Sequence, residues 1–127
     1  MKGKQKFFSC QHCGNMVGLI GKQGAPLVCC GEKMTELVPN TAEASEEKHL
    51  PAVTVSGDSI SVQVGSVLHP MTEEHSIKFV FVETESGGQR KVLKVGDEPK
   101  LNFSFSNDKP IAVFAYCDMH GLWKTDL

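Results

Sequence analysis

The sequence predicts a mainly β protein in two parts: a small metal-stapled N-terminal module over residues 1–38, and an antiparallel β-sandwich over residues 39–127. Three observations predict it. Residues 1–38 hold four of the five cysteines, several glycines and few large apolar side chains, too little to build a core without a staple. Residues 39–48 are polar and separate the parts. From Pro51 onward, short β-branched and aromatic runs alternate with turn signals.

In chain order, Cys10-x-x-Cys13 lets the backbone fold back as a knuckle, and Gly14 and Gly31 suit the tight turns after Cys13 and Cys30. Cys29 and Cys30 are adjacent, so their side chains start on opposite sides of the backbone. Both reach one ion only if the local geometry is distorted. The 39–48 linker predicts one helical turn, with Thr41 or Ser45 as its cap. Val53 and Val55 alternate, as do Ile60, Val62 and Val64 after the turn at Ser56-Gly57-Asp58. Gly65 to Leu68 reads as strand-like, and Ile77 to Glu83 as a strand. Gly87-Gly88 supplies a hairpin turn before Lys91 to Val95. Leu101, Phe103 and Phe105 alternate, and Asn107 to Pro110 turns into Ile111 to Tyr116. Six or seven short strands at this spacing point to a sandwich.

Composition excludes several classes. The net charge of −2 argues against a nucleic-acid binder, and no apolar run approaches the roughly 20 residues that span a bilayer. The start, Met-Lys-Gly-Lys-Gln-Lys, is basic without an apolar core after it, so no secretory signal is expected. Five cysteines are an odd number for a disulfide framework, and Cys-x-x-Cys without a signal peptide reads as metal or redox chemistry in the cytoplasm.

Nine of the ten cysteines and histidines fall into two sets. Cys10, Cys13, Cys29 and Cys30 form a compact tetrathiol group that suits tetrahedral zinc or iron, and spacing alone favours zinc. His49, His69, His75, Cys117 and His120 are dispersed, with most of them at strand ends, where loops of a sandwich converge. Four imidazoles and one thiolate point to a transition metal and leave an octahedral ion one open position. With a divalent ion the set carries a net charge of about +1, which favours a small anion there. An axial thiolate also pushes electron density toward the opposite position. His12, left over between two cysteines, is expected to be exposed. Trp123 is expected near the site or at a contact between copies. Met71 and Met119 are expected in core or loop roles rather than as ligands.

These residues carry a resemblance over essentially the whole length. C-Q-H-C at 10–13 and V-C-C-G at 28–31 resemble desulforedoxin, while E-K-H-L-P at 47–51, H-P-M at 69–71, E-H at 74–75 and C-D-M-H-G at 117–121 resemble desulfoferrodoxin, the two-iron superoxide reductase family. The resemblance turns the metal reading from zinc to iron. It implies one iron held by Cys10, Cys13, Cys29 and Cys30, and a second held by His49, His69, His75 and His120 with Cys117 axial, without haem or flavin. It implies an immunoglobulin-like sandwich, a homodimer and a rubredoxin-like electron donor. Glu47 would occupy the sixth position in the oxidised state, and Lys48 would attract superoxide and help protonate the product. Asp118 departs from the asparagine more frequent in the family, which bears on the iron potential. The implied reaction reduces superoxide to hydrogen peroxide. Two rivals use the same ligand types: a zinc-ribbon binding module on a sandwich, and a blue-copper-like electron carrier, which leaves two histidines unexplained.

Overall fold

The computed structural model describes residues 3–127; Met1 and Lys2, where the basic start begins, lie outside the described residues. The chain divides into two compact units, Lys4–Val38 and one built on Pro39–Leu127. Among the described residues, no helix is long and apolar enough to cross a membrane.

The smaller unit contains β1 (Phe7–Ser9), β2 (Met16–Gly18), β3 (Val28–Cys29), β4 (Glu32–Lys33) and β5 (Thr35–Glu36). β1 pairs antiparallel with β2 and β5, and β3 with β4. The buried apolar side chains here are Phe7, Phe8 and Cys10. So small a set cannot stabilise a fold on its own at about 1.5–3 kcal/mol per buried side chain, which is the physical case for a metal staple.

The larger unit begins with the four-residue helix α1 (Glu46–His49). Seven strands follow: β6 (Pro51–Ser56), β7 (Ser59–Val64), β8 (Ile77–Thr84), β9 (Gly88–Val92), β10 (Lys100–Ser104), β11 (Pro110–Cys117) and β12 (Gly121–Asp126). They form two antiparallel sheets, β10-β7-β6 and β12-β11-β8-β9. Ile60, Val62, Val64 and Phe103 of the first sheet meet Val80, Val82, Val113 and Ala115 of the second in one core. That core makes the sandwich, and Cys117, fully buried, lies at its edge.

Three details differ from the sequence expectations. Gly65 to Leu68 is a turn, and the seventh strand is β12. It is legible only through its pairing with β11, because Leu122 and Trp123 are both buried and give no alternation. Gly88 belongs to a strand instead of a turn: a Cβ there would lie 2.4 Å from the Phe81 ring and 2.7 Å from the Val82 carbonyl, so β9 can pair with β8 only through a glycine. Ser45 occupies the cap position of α1, but its hydroxyl makes no capping bond.

Candidate metal centres

The four thiols of the smaller unit converge, with their sulfur atoms all within 4.8 Å of one another. Cys13 Sγ is 3.6 Å from Cys29 Sγ, and Cys29 Sγ is 4.0 Å from Cys30 Sγ. A tetrahedron with metal–sulfur bonds of about 2.3 Å has edges of about 3.8 Å, so these separations fit one ion. The distortion demanded by the adjacent pair sits at Cys30, whose φ of 54° is left-handed; Gly31 follows at 77°. That reversal lets neighbouring cysteines face one point.

Backbone N–H groups favour one thiolate over the others. The Cys13 N–H, 3.5 Å from Cys10 Sγ, and that of His12 bring the Cys10 pKa down to about 6. The thiols of Cys13 and Cys10 push Cys30 up to about 12, and Cys29 is raised by the same two neighbours while the Asn15 amide, 3.6 Å away, opposes. Four sulfurs this close cannot all ionise unless a cation neutralises them. His12 is exposed, with Nε2 3.0 Å from a Glu32 carboxylate oxygen.

The second set gathers at one end of the sandwich. His49 ends α1, His69 follows β7, His75 precedes β8, Cys117 ends β11 and His120 lies in the turn to β12. Gly121 permits that turn through its φ of 78°; a Cβ on it would meet nothing within 4 Å, so backbone conformation and not close approach is what calls for glycine there.

The four imidazoles form a closed quadrilateral. Neighbouring ring centroids are 4.7 Å (His49–His69), 4.5 Å (His69–His75), 5.0 Å (His75–His120) and 4.9 Å (His49–His120) apart, each pair nearly perpendicular. The His49–His75 diagonal is 6.2 Å. Ligand atoms of His49, His69, His75 and Cys117 lie within 4.8 Å of one another. His120 falls outside that set, yet its Nδ1 is 3.2 Å from His49 Nε2 and 3.9 Å from Cys117 Sγ. His75 Nε2 is 3.2 Å from the same sulfur.

Second partners settle the tautomers. His49 Nδ1 is 2.6 Å from the Ser45 carbonyl, and His69 Nδ1 is 2.7 Å from the Pro70 carbonyl. A carbonyl only accepts, so each Nδ1 carries hydrogen and each Nε2 presents a lone pair inward. Burial pushes His69 down to about 4, the Pro70 carbonyl partly opposing, and burial likewise lowers His49. Both rings are therefore neutral near pH 7, as ligands must be. Burial raises the Cys117 thiol, so its ionisation is coupled to a cation beside it.

Glu47 and Lys48 are exposed on α1, directly before His49. Their segment is fastened by backbone: the Val67 N–H and the Ser66 hydroxyl donate to the Glu47 carbonyl at 3.0 and 3.3 Å. A Cβ on Gly65 would lie 2.4 Å from that carbonyl oxygen, so glycine is required where the turn passes α1. Trp123, buried at 2% exposure, stacks on His49 at 5.0 Å and 29°, and its Nε1–H donates to the His120 carbonyl at 3.1 Å. It supports two candidate ligands, a role that sequence reasoning left open. Met119 is exposed, while Met71 packs on the core and its sulfur accepts the Ile77 N–H.

Comparison with known proteins gives this geometry a family. The Desulfoferrodoxin profile matches residues 41–126, and the profile for the desulfoferrodoxin N-terminal domain matches residues 3–37. The chain belongs to the desulfoferrodoxin family. It is 37% identical to the desulfoferrodoxin of Nitratidesulfovibrio vulgaris over 126 residues, 99% of each chain. The crystal structure of a superoxide reductase from Treponema pallidum is similar with a TM-score of 0.81 and 33% identity, covering 98% of this chain and all of that one. A superoxide reductase (1Fe-SOR) from Giardia intestinalis is similar with a TM-score of 0.54 and 29% identity, covering 64% of this chain and 97% of that one. This member of the family is thus an oxidoreductase, and its two residue sets fit the two iron centres of the family. The thiol set brings four sulfurs together; the second set brings four imidazoles around one sulfur, more imidazoles than a blue-copper site uses.

Proposed function

We propose that this protein is a superoxide reductase, converting superoxide, one electron and two protons to hydrogen peroxide. The observation that carries the reading is the quadrilateral of His49, His69, His75 and His120 with Cys117 Sγ beside it. These five residues would hold the second iron, and Cys10, Cys13, Cys29 and Cys30 the first. When bound, the second iron supplies the single electron.

The chain's own groups supply the rest. Neutral imidazoles leave the site's charge to the cation and Cys117, a net of about +1 that draws a small anion. Lys48 adds a second positive charge next to His49, steering superoxide in and organising proton delivery from solvent. Glu47, on the same fastened segment, supplies the carboxylate that takes the anion's place after turnover. A rubredoxin-like protein returns the electron, the chain works as a homodimer in the cytoplasm, and residues 1–38 and 39–127 act as separate modules. The Giardia structure supports placing the chemistry in the larger unit, since it matches only 64% of this chain.

The test is metal content with visible and electron-spin spectra in both oxidation states, joined to product stoichiometry. One peroxide per superoxide, without dioxygen, is expected. Zinc in place of iron, or dioxygen formed alongside peroxide, would refute the reading. Cys13→Ser is expected to remove the first iron and leave most superoxide reduction, read by iron content and rate together; loss of activity with the second iron still bound would make the first centre an obligate relay. Lys48→Ile is expected to slow the reaction with superoxide by up to about tenfold at low ionic strength, with the difference shrinking as salt screens the charge. An unchanged rate at every salt concentration removes Lys48 from the mechanism.

A further inference from the structure

Asp118 ties together the segments that carry two candidate ligands, His75 and Cys117. It follows Cys117, and Ser76 follows His75. The Asp118 N–H donates to the Ser76 carbonyl at 3.2 Å, and the Ser76 N–H donates to Asp118 Oδ1 at 3.0 Å. The β8–β11 ladder is irregular at this place, with a register shift between Tyr116 and Cys117. The side chain thus accepts a bond that the regular ladder does not provide. Ser76 is 1% exposed, so its N–H cannot turn to water if that acceptor is lost, and an unsatisfied buried donor costs about 1–3 kcal/mol. Above this clamp, His75 Nε2 and Cys117 Sγ are 3.2 Å apart.

The same carboxylate brings a negative charge next to the sulfur. An anion there stabilises the more positive, oxidised metal and lowers its reduction potential. The second carboxylate oxygen, Oδ2, is 3.6 Å from Lys78 Nζ, with the Asp118 side chain 24% and the Lys78 side chain 46% exposed. The lysine therefore opposes the field that the aspartate would exert, within the limit that partial exposure to water sets.

We propose that Asp118 is a positioning residue that fixes His75 against Cys117 through the Ser76 N–H, and that Lys78 neutralises its carboxylate so that the clamp does not depress the potential of the second centre. The proposal rests on the reading that iron sits among the four histidines and Cys117.

Three variants of the full chain, with iron bound, test it by metal content and by redox titration of both centres. Asp118→Asn keeps an acceptor for Ser76 and removes the charge; iron is retained and the second potential rises. Lys78→Met leaves the carboxylate unpaired; iron is retained and the second potential falls. Asp118→Ala removes the clamp; the second iron is lost preferentially, or its visible spectrum shifts, while the first is kept. The first-centre potential stays unchanged in the two conservative variants. Opposite signs for Asp118→Asn and Lys78→Met separate a charge effect from mere loosening, which moves both the same way. Shifts of equal sign, no shift, or an Asp118→Ala chain with full second iron and an unchanged spectrum would overturn the proposal. If iron remains undiminished in a Cys117→Ser chain with an unaltered second spectrum, the underlying site reading fails instead.

Discussion

Cys117→Ser is expected to abolish superoxide reduction while leaving the first centre's spectrum intact. The sulfur is fully buried at the end of β11, with His75 Nε2 at 3.2 Å and His120 Nδ1 at 3.9 Å. Loss of supporting groups around a metal typically costs 10–100-fold, so losing a direct ligand is expected to exceed about 100-fold. Burial already raises the Cys117 thiol, and a serine hydroxyl in the same place resists ionisation far more strongly. The imidazoles would then lack the buried anionic partner that both lowers the cation's charge and pushes electron density onto it. The measurement is the rate of peroxide formation against iron content and visible spectra. A variant that keeps its rate would remove Cys117 from the proposed ligand set.

The second large effect is expected at Trp123. This indole is 2% exposed, stacks on His49 and donates to the His120 carbonyl. Trp123→Ala is expected to destabilise the larger unit by about 3–5 kcal/mol, the range for emptying an aromatic core position. At about 4 °C per kcal/mol or more for a domain of this size, the midpoint of thermal unfolding falls by on the order of 12 °C or more. Iron should leave the second centre before the first, because two of the four rings lose their support. Trp123→Phe keeps a ring against His49 and drops only the N–H bond, worth about 1 kcal/mol. Equal iron retention in the alanine and phenylalanine variants would show that stacking on His49 does not hold the site.

The legibility of this chain in sequence follows from how local each feature is. Cys10-x-x-Cys13 and Cys29-Cys30 are within reach of one another by chain connectivity, so the tetrathiol set was readable from spacing. The left-handed turn at Cys30, φ 54°, was only implied by the demand that adjacent cysteines share an ion. The alternations of Ile60, Val62 and Val64, and of Leu101 and Phe103, marked real core strands because one face of each is buried. Gly65 to Leu68 misled by its apolar residues: Val67 and Leu68 are 48% and 42% exposed, and the segment instead fastens α1 by hydrogen bonds no pattern records. β12 hid because both Leu122 and Trp123 are buried, and Gly88 looked like a turn because a glycine forced by the Phe81 ring is indistinguishable in sequence from one chosen for its freedom.

Residue types and order alone determined that the chain has a four-thiol set, a separate four-histidine and one-cysteine set, and a run of strands able to bring the second set together. The folded chain decided what those residues face. Antiparallel pairing places Cys117 opposite Ile77 and Gly121, which brings His75, His120 and the sulfur to one edge. Carbonyls of Ser45 and Pro70, four positions and one position from the rings they hold, choose the nitrogens that His49 and His69 present. Trp123 against His49 and the Asp118–Lys78 pair add what no local pattern carries. Their roles arise from contacts between segments far apart in sequence, and the chain must be folded before such contacts have any energy at all.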